Sequence, residues 1–431
     1  LSHQPKSPPL RELTPRQLQW IAGGYVLSFA TVPGQTMFIA QFNTALRETF
    51  GLSHGAFGGL YTIGTLTSAF CLVFAGVLAD RVGARKLTII VLCCLAATSL
   101  FMASLTHVVL LAIAFAGLRF FGQGMLAHVT MTTMSRWFNR FRGRALSFAG
   151  LGYTTGEAIM PFAITIAIAS FGWREVWFGT AVALVAIALP MVWFLFRDPP
   201  DGKRALARGA INPDATPDSG PTGLKWTRSK VLRDPLFYLV LCGAIAPSAI
   251  GTLYIFHQAH LVALKGWDLT IFTAFFPVMS LAVLMSSVSA GFLIDRFGAW
   301  QLLPGLLLPL GFGCLVVATL TPVWAIPLML LLLGLTTGTM GPVLGALWAE
   351  LYGTANLGAV RSLATAAMVS ASAVGPGVSG LLIDLGIELD VQGFGYALYC
   401  LGGATIFLLI RRRFRARVAE TTPEALHGAP A

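Results

Sequence analysis

The chain is 431 residues long, 56% hydrophobic and only 11% charged, with 46 glycines, 30 phenylalanines and a mean hydropathy of +0.75. Soluble globular proteins carry about a quarter charged residues, so this usage excludes a soluble enzyme and a disordered chain alike. The net charge of +11 is concentrated in short polar connections, and its placement accounts for it without invoking nucleic acid.

Twelve apolar runs long enough to cross about 30 Å of hydrocarbon follow one another, at 18–44, 56–79, 87–106, 108–134, 145–168, 174–196, 235–259, 270–292, 301–319, 323–346, 359–384 and 393–410. They are too long and too uniformly apolar for the alternating strands of a porin, so the chain reads as an all-α polytopic membrane protein. The first run contains Tyr25, Gln35, Gln41 and Asn43. Its length and the lack of a small-residue cleavage site predict a span kept in the mature protein, not a signal peptide.

The second run carries Tyr61 and Thr62 and closes on Gly76-Val-Leu-Ala-Asp80-Arg81-Val-Gly83, followed by Arg85 and Lys86. A carboxylate at a helix end can pair with Arg81 or Arg85, or accept hydrogen bonds from a neighbouring helix start, and so latch helix ends together in one conformation. The competing reading of the same basic residues is topogenic charge.

Arg119 falls about eleven residues into the fourth run, within Arg119-Phe-Phe-Gly122-Gln123-Gly124, and Glu157 about twelve into the fifth. At 1.5 Å per residue both sit near mid-membrane, where a charge costs at least a few kcal/mol. A guanidinium stays charged and can hold a carboxylate through two hydrogen bonds. Glu157 can titrate: low dielectric disfavours its ionised form and a nearby arginine favours it. An anion competing for Arg119 would therefore release Glu157 to take a proton. The structural alternative is a permanent ion pair holding the fourth and fifth spans together. The fifth run also reads Gly150-x-Gly152-x-x-x-Gly156, a spacing that permits close helix contact, and Pro161 bends it.

Between Phe196 and Leu236 a stretch rich in Pro, Gly, Asp, Lys and Arg reads as a linker. The expected division is a six-helix bundle over 1–196, a cytoplasmic linker over 197–234, a second bundle over 235–410 and a tail over 411–431. The halves look like copies: Gly291-Phe-Leu-Ile-Asp295-Arg296-Phe-Gly298 repeats the Asp80 segment 215 residues on. Trp300 and Gln301 replace Arg85 and Lys86 there, so a latch through Asp295 and Arg296 should be weaker. Arg142-Gly143-Arg144-Ala145 and Leu357-Gly358-Ala359-Val360 stand at the same offset. Such duplication is the architecture of a secondary transporter.

In the seventh run Tyr254, His257, Gln258 and His260 add polarity near the external end. Two histidines without acidic or cysteine neighbours make a poor metal site, so no metal is expected, and His257 reads either as a substrate contact or external gate or as plain interface polarity. Ala371-x-x-x-Gly375-Pro376-x-x-x-Gly380 in the eleventh run predicts a hinge or tight packing seam. The six cysteines all fall inside spans and read as packing residues.

Basic residues set the orientation. Lys6, Arg11, Arg16, Arg81, Arg85, Lys86, Arg136, Arg140, Arg142, Arg144, the group from Arg197 to Arg233, Arg296, Arg361 and five arginines beyond residue 410 share one side, against Arg47, Arg174 and Lys265 on the other. Both termini are therefore expected in the cytoplasm.

Gly76-x-x-x-Asp80-Arg81-x-Gly83-x-Arg85-Lys86, with its weaker copy at Asp295, resembles the loop signature between the second and third helices of the major facilitator superfamily. The resemblance spans about Gln17 to Arg411 and implies twelve helices in two six-helix bundles that rock about a central cavity. It also implies gating roles for Asp80, Arg81, Gly83, Arg85, Asp295 and Arg296. Arg119 with Gly122 and Gly124 is similar to that family's fourth-helix signature, associated there with proton coupling. The fifth run lacks the Gly-Pro pair of the antiporter signature.

Among subfamilies the chain looks most like the bacterial monocarboxylate and oxalate/formate-type carriers. The segments that carry this are Phe50-Gly51-Leu52-Ser53, Arg136-Trp137-Phe138 with Arg142-Gly143-Arg144-Ala145, Gly172-Trp173-Arg174, and Tyr352-Gly353 followed by Gly358. Those carriers commonly hold carboxylates with basic residues in the eighth or eleventh helix, whereas 270–292 and 362–384 here contain no Lys, Arg, Asp or Glu. Arg119 must then supply the positive charge, which favours a monoanion over a dicarboxylate.

The resulting expectation is an inner-membrane carrier moving a small organic anion, most simply a monocarboxylate, together with H⁺ by alternating access. It should act as a monomer, without cofactor, metal or enzymatic activity, using Arg119, Glu157, Gln123, Tyr25, Gln35, Tyr61, Tyr254 and His257. The rival expectation is a proton-driven exporter of hydrophobic drugs or metabolites.

Overall fold

The structure is a computed structural model that describes residues 14–75, 78, 82–138, 142–197, 226, 228–353 and 356–421. Asp80 and Arg81, Lys6, Arg11 and Arg140, and nearly all of the expected linker lie outside those residues.

Among the described residues eleven helices are long and apolar enough to cross a membrane: α2 (His54–Ala75), α3 (Ala84–Ala103), α4 (Val108–Trp137), α5 (Arg142–Phe171), α6 (Trp173–Leu195), α7 (Pro235–Phe256), α8 (Leu269–Phe297), α9 (Ala299–Thr319), α10 (Ala325–Tyr352), α11 (Leu357–Asp384) and α12 (Leu389–Leu409). The first span is built differently. α1 (Pro15–Ala30) starts at a capping box between Thr14 and Gln17 with proline at the first position. Pro33 then has no amide hydrogen to continue the ladder, and the chain passes through a 3₁₀ turn (Val32–Gly34) and short helices at Thr36–Ile39 and Asn43–Phe50. The expected continuous span over 18–44 is thus a helix interrupted near its middle. Irregular backbone at membrane depth is tolerated where protein or a cavity shields it, and both do so here.

Side chains cap the helices of the second half. Asp234 accepts from Leu236 N at 3.1 Å to start α7, Asp268 accepts from Ile271 N at 2.9 Å to start α8, and α13 (Arg411–Thr421) follows α12. Gly298 joins α8 to α9 at φ +84°, a conformation disfavoured for side chains with a Cβ.

The packing repeats itself six helices on. α1 lies on α5 as α7 lies on α11, α2 on α4 as α8 on α10, and α3 on α6 as α9 on α12. One hydrophobic core is drawn from residues 21–196 together with Phe256, the other from 231–414 together with Met37. Those two exchanged residues are where each half reaches into its neighbour. Between the halves α2 packs on α11 and α5 on α8, again a symmetric pair. Large apolar side chains such as Phe70, Val73, Leu398 and Leu409 are exposed on the perimeter, as a lipid-facing surface requires.

Candidate functional site

A cavity of about 340 Å³ lies between the halves. Its first-half wall is polar: Gln35 and Thr36 from the interrupted first span, Arg119 and Gln123 from α4, and Tyr153 and Glu157 from α5. The facing wall is largely apolar, with Pro247, Ile255, Met279, Leu333, Met340 and Met368, relieved by hydroxyls such as Thr252, Thr337 and Ser372. Among the residues lining it, Arg119 and Glu157 carry the only charges.

Arg119 opens a π-helical segment, Arg119–Leu126, whose wider turn is a common device at functional sites. Gly122 in that segment lies so close to the first span that a Cβ there would come within 2.7 Å of the Gly34 Cα. The break in the first span leaves carbonyls without helical partners. Arg119 Nη1 donates to one of them, Gly34 O, at 3.3 Å, and to Thr36 Oγ1 at 3.2 Å. Thr36 Oγ1 is in turn 2.6 Å from the Tyr61 hydroxyl, and the Arg119 guanidinium stands 5.4 Å from the Tyr61 ring centroid. The arginine is 3% exposed, and its Nε has no hydrogen-bond partner. It therefore keeps donor capacity while its position is fixed.

Glu157 accepts a hydrogen bond from the hydroxyl of Tyr153, one turn earlier on α5. Arg119 makes no ion pair with it among the described residues. The cavity brings the two charges together with a neutral partner each, which differs from the permanent helix-pinning pair weighed from sequence.

Of the other residues expected at the site, Gln35 and Gln123 line the cavity. Tyr61 is fully buried behind Thr36. Tyr25 faces a separate apolar groove. Tyr254 is buried 6.1 Å from the Tyr396 ring, because α7 turns Gly251, Thr252 and Ile255 toward the cavity and residues advance about 100° each. His257 is buried at the end of α7 with Nε2 2.8 Å from Pro376 O. These last four support or flank the site without lining it.

One end of the cavity is shut by contacts between the halves. Asp384, closing α11, accepts from His54 N at 3.0 Å and Gly55 N at 2.8 Å, capping α2 of the other half. Thr62 Oγ1 donates to Ala373 O at 2.7 Å, and Asn43 Nδ2 to Phe256 O at 2.9 Å. His54 packs on His260, ring centroids 4.3 Å apart, and His260 Nε2 is 2.6 Å from Glu388. Pro376 and Gly377 meet Gly58, so the glycine-proline stretch of α11 is a cross-half packing seam.

At the opposite end Gly83 precedes the first turn of α3, and Arg85 donates to Trp193 O at 3.2 Å, stacking on that indole at 4.0 Å within its own half. Asp295 and Arg296 are exposed, and Arg296 lies over Phe297. The α9 start is held instead by Glu350, the last acidic residue of α10, which accepts from Ala299 N at 2.7 Å and Trp300 N at 3.0 Å. The cap comes from α10 because that helix ends beside the α8–α9 turn.

Sequence reasoning passed over Thr36, Tyr153, Asp384 and Glu350. Tyr153 was open to discovery, since position i−4 from Glu157 faces the same side of a helix. Thr36 follows the Pro33-Gly34 interruption, a legible break signal.

The sequence profile of the Major Facilitator Superfamily matches residues 24–376, and the chain belongs to that family. It is therefore a multi-pass membrane protein of a transporter family. Over 420 residues it is 25% identical to the agnestins efflux protein AgnL12 of Paecilomyces divaricatus, covering 94% of this chain and 89% of that one. It is 24% identical over 184 residues to the MFS transporter asaE of Aspergillus flavus, a match spanning 42% of this chain and 37% of the relative's length. Among solved structures, a bacterial homolog of the human lysosomal transporter Spinster in an inward-facing, unoccupied conformation superposes with a TM-score of 0.69 at 14% identity, covering 97% of this chain and all of that one. The nucleoside transporter NupG gives 0.68 at 13% identity, covering 94% and 99%. These likenesses show the fold.

Proposed function

We propose that the chain is a proton-linked exporter of an organic metabolite with an apolar body and one acidic or strongly hydrogen-bonding group. The observation that carries this reading is the division of the cavity, with both charges on one wall and a methionine-rich apolar surface facing them. Methionine side chains adapt to irregular apolar ligands, and the spare donors of Arg119 suit the polar end. The nearly full-length relative AgnL12 is named as an efflux protein, which agrees with it.

Cargo that seats a hydrogen-bond donor on Glu157 takes the place of the Tyr153 hydroxyl, so that cargo and a proton compete for the same carboxylate. A proton taken up by Glu157 after the cargo has left removes the carboxylate's charge and, with it, that group's share of the cost of reclosing the cavity around it. The shut His54 end is the external gate on the positive-inside assignment, so loading takes place from the linker side.

A second reading, uptake of a small monocarboxylate with H⁺, is favoured by the single buried guanidinium with an unused Nε. Proteoliposomes decide between them. An imposed pH gradient should drive lipophilic aromatic acids toward the acidic compartment, with benzoate- or pyruvate-sized anions moved poorly. Preferential movement of the small anions away from the acidic compartment would instead establish the second reading. In either case Arg119→Ala should lower cargo affinity by tenfold or more, and Glu157→Gln should leave exchange that no longer responds to pH. Normal pH-driven transport in both variants refutes both readings.

A further inference from the structure

A second and larger cavity, about 820 Å³ and within the ~300–1,000 Å³ of ligand pockets, lies in the first half alone. Its sides are α5, through Met160 and Phe171, and α6, through Gly179 and Ile187, with Phe171 and Ile187 exposed on the protein perimeter. Along α6 the lining runs from Glu175 to Met191, about 24 Å at 1.5 Å per residue, which exceeds the depth of one leaflet.

Three observations indicate what the groove holds. Its walls are almost wholly apolar, and they lie within spans that face hydrocarbon. Its one charged lining residue, Glu175, stands at the end of the groove and makes no hydrogen bond or ion pair among the described residues. The neighbouring Arg174 does not compete for that carboxylate, because its guanidinium stacks 4.1 Å from the Trp173 ring centroid and donates to Leu105 O at 3.1 Å. A carboxylate without a protein partner at the end of an acyl-chain-sized groove complements a head group carrying an ammonium.

The floor connects this groove to the central site. Val32, Pro33 and Phe38 of the interrupted first span line the groove, while Gln35, Thr36 and Met37 of the same stretch line the central cavity, and Gly34 between them holds Arg119. We propose that the groove seats one acyl chain of a phosphatidylethanolamine-type lipid, with its ammonium on Glu175, and that the chain braces the break from behind. This goes beyond the transport reading and does not depend on it.

The test is native mass spectrometry of the purified full chain, titrated with phosphatidylethanolamine and with phosphatidylglycerol of the same acyl chains. The expected result is one retained phosphatidylethanolamine, preferred at least fivefold. Glu175→Gln should abolish the preference. Gly179→Phe, which points a ring into open space, should weaken retention of both lipids, as should Ala183→Phe, while Val288→Phe on the lipid-facing side of α8 should change nothing. Hydrogen exchange over residues 32–38 should slow in vesicles containing phosphatidylethanolamine relative to phosphatidylglycerol alone. Equal retention of the two lipids, insensitivity to both plugging variants, an equal loss with Val288→Phe, or unchanged exchange over 32–38 would overturn the proposal.

Discussion

Arg119 is held by a relay in which each member fixes the next: the Tyr61 hydroxyl meets Thr36, and Thr36 with the Gly34 carbonyl meets the guanidinium. Removing the first member tests whether positioning matters apart from charge. Tyr61→Phe keeps the ring and loses the hydrogen bond, worth about 1 kcal/mol. We expect cargo affinity to fall roughly fivefold by that measure, with thermal stability in detergent little changed. At this scale the sequence was informative where a residue broke its surroundings, as Arg119 and Glu157 did inside apolar runs. It was uninformative about facing. Tyr61, Tyr254 and His257 are polar residues of the expected kind on the expected helices, yet none of the three lines the cavity, because a helix apolar on every side carries no moment from which its cavity face can be read.

The interrupted first span does two jobs as an element: it exposes carbonyls to Arg119 and separates the central cavity from the membrane-side groove. Its fit against α4 leaves no room, since a methyl group at Gly122 would come within 2.7 Å of the Gly34 backbone. Gly122→Ala should therefore cost about 1–3 kcal/mol by overpacking. Differential scanning of the purified variant should show a lower Tm, whereas Gly59→Ala, which meets open space, should not. Helix number and order were legible because hydrophobic length is a strong signal. The interruption was written in Pro33-Gly34, but the apolar residues on both sides hid it in a length-based reading. Likewise, nothing in the local sequence tells that the carboxylate capping the α9 start is Glu350, some fifty residues away, because the contact depends on where α10 ends.

For the whole molecule, the sixfold helix offset in packing makes two similar bodies, and the closed end is where they touch through polar groups. Asp384 caps α2 from across the divide, so its loss weakens closure without altering either body. Asp384→Ala should raise the labelling of a cysteine at Thr252, inside the cavity, by a membrane-impermeant maleimide applied from the His54 side. An increase of about fivefold corresponds to roughly 1 kcal/mol, a value already reduced for solvent exposure. Internal duplication was visible in two short motifs, but which helices meet across the divide was not, since such contacts depend on how the bodies are tilted. Finally, α13 is not a loose tail over its described length. Arg417 Nη1 lies 2.6 Å from Asp234, which also accepts from Tyr352 at 2.9 Å, and Phe414 is buried. The last helix is thus riveted to the start of α7 and the end of α10, so a spectroscopic label placed on α13 rides with one body alone. Paired with a label on α1, it becomes a ruler for the rocking motion itself.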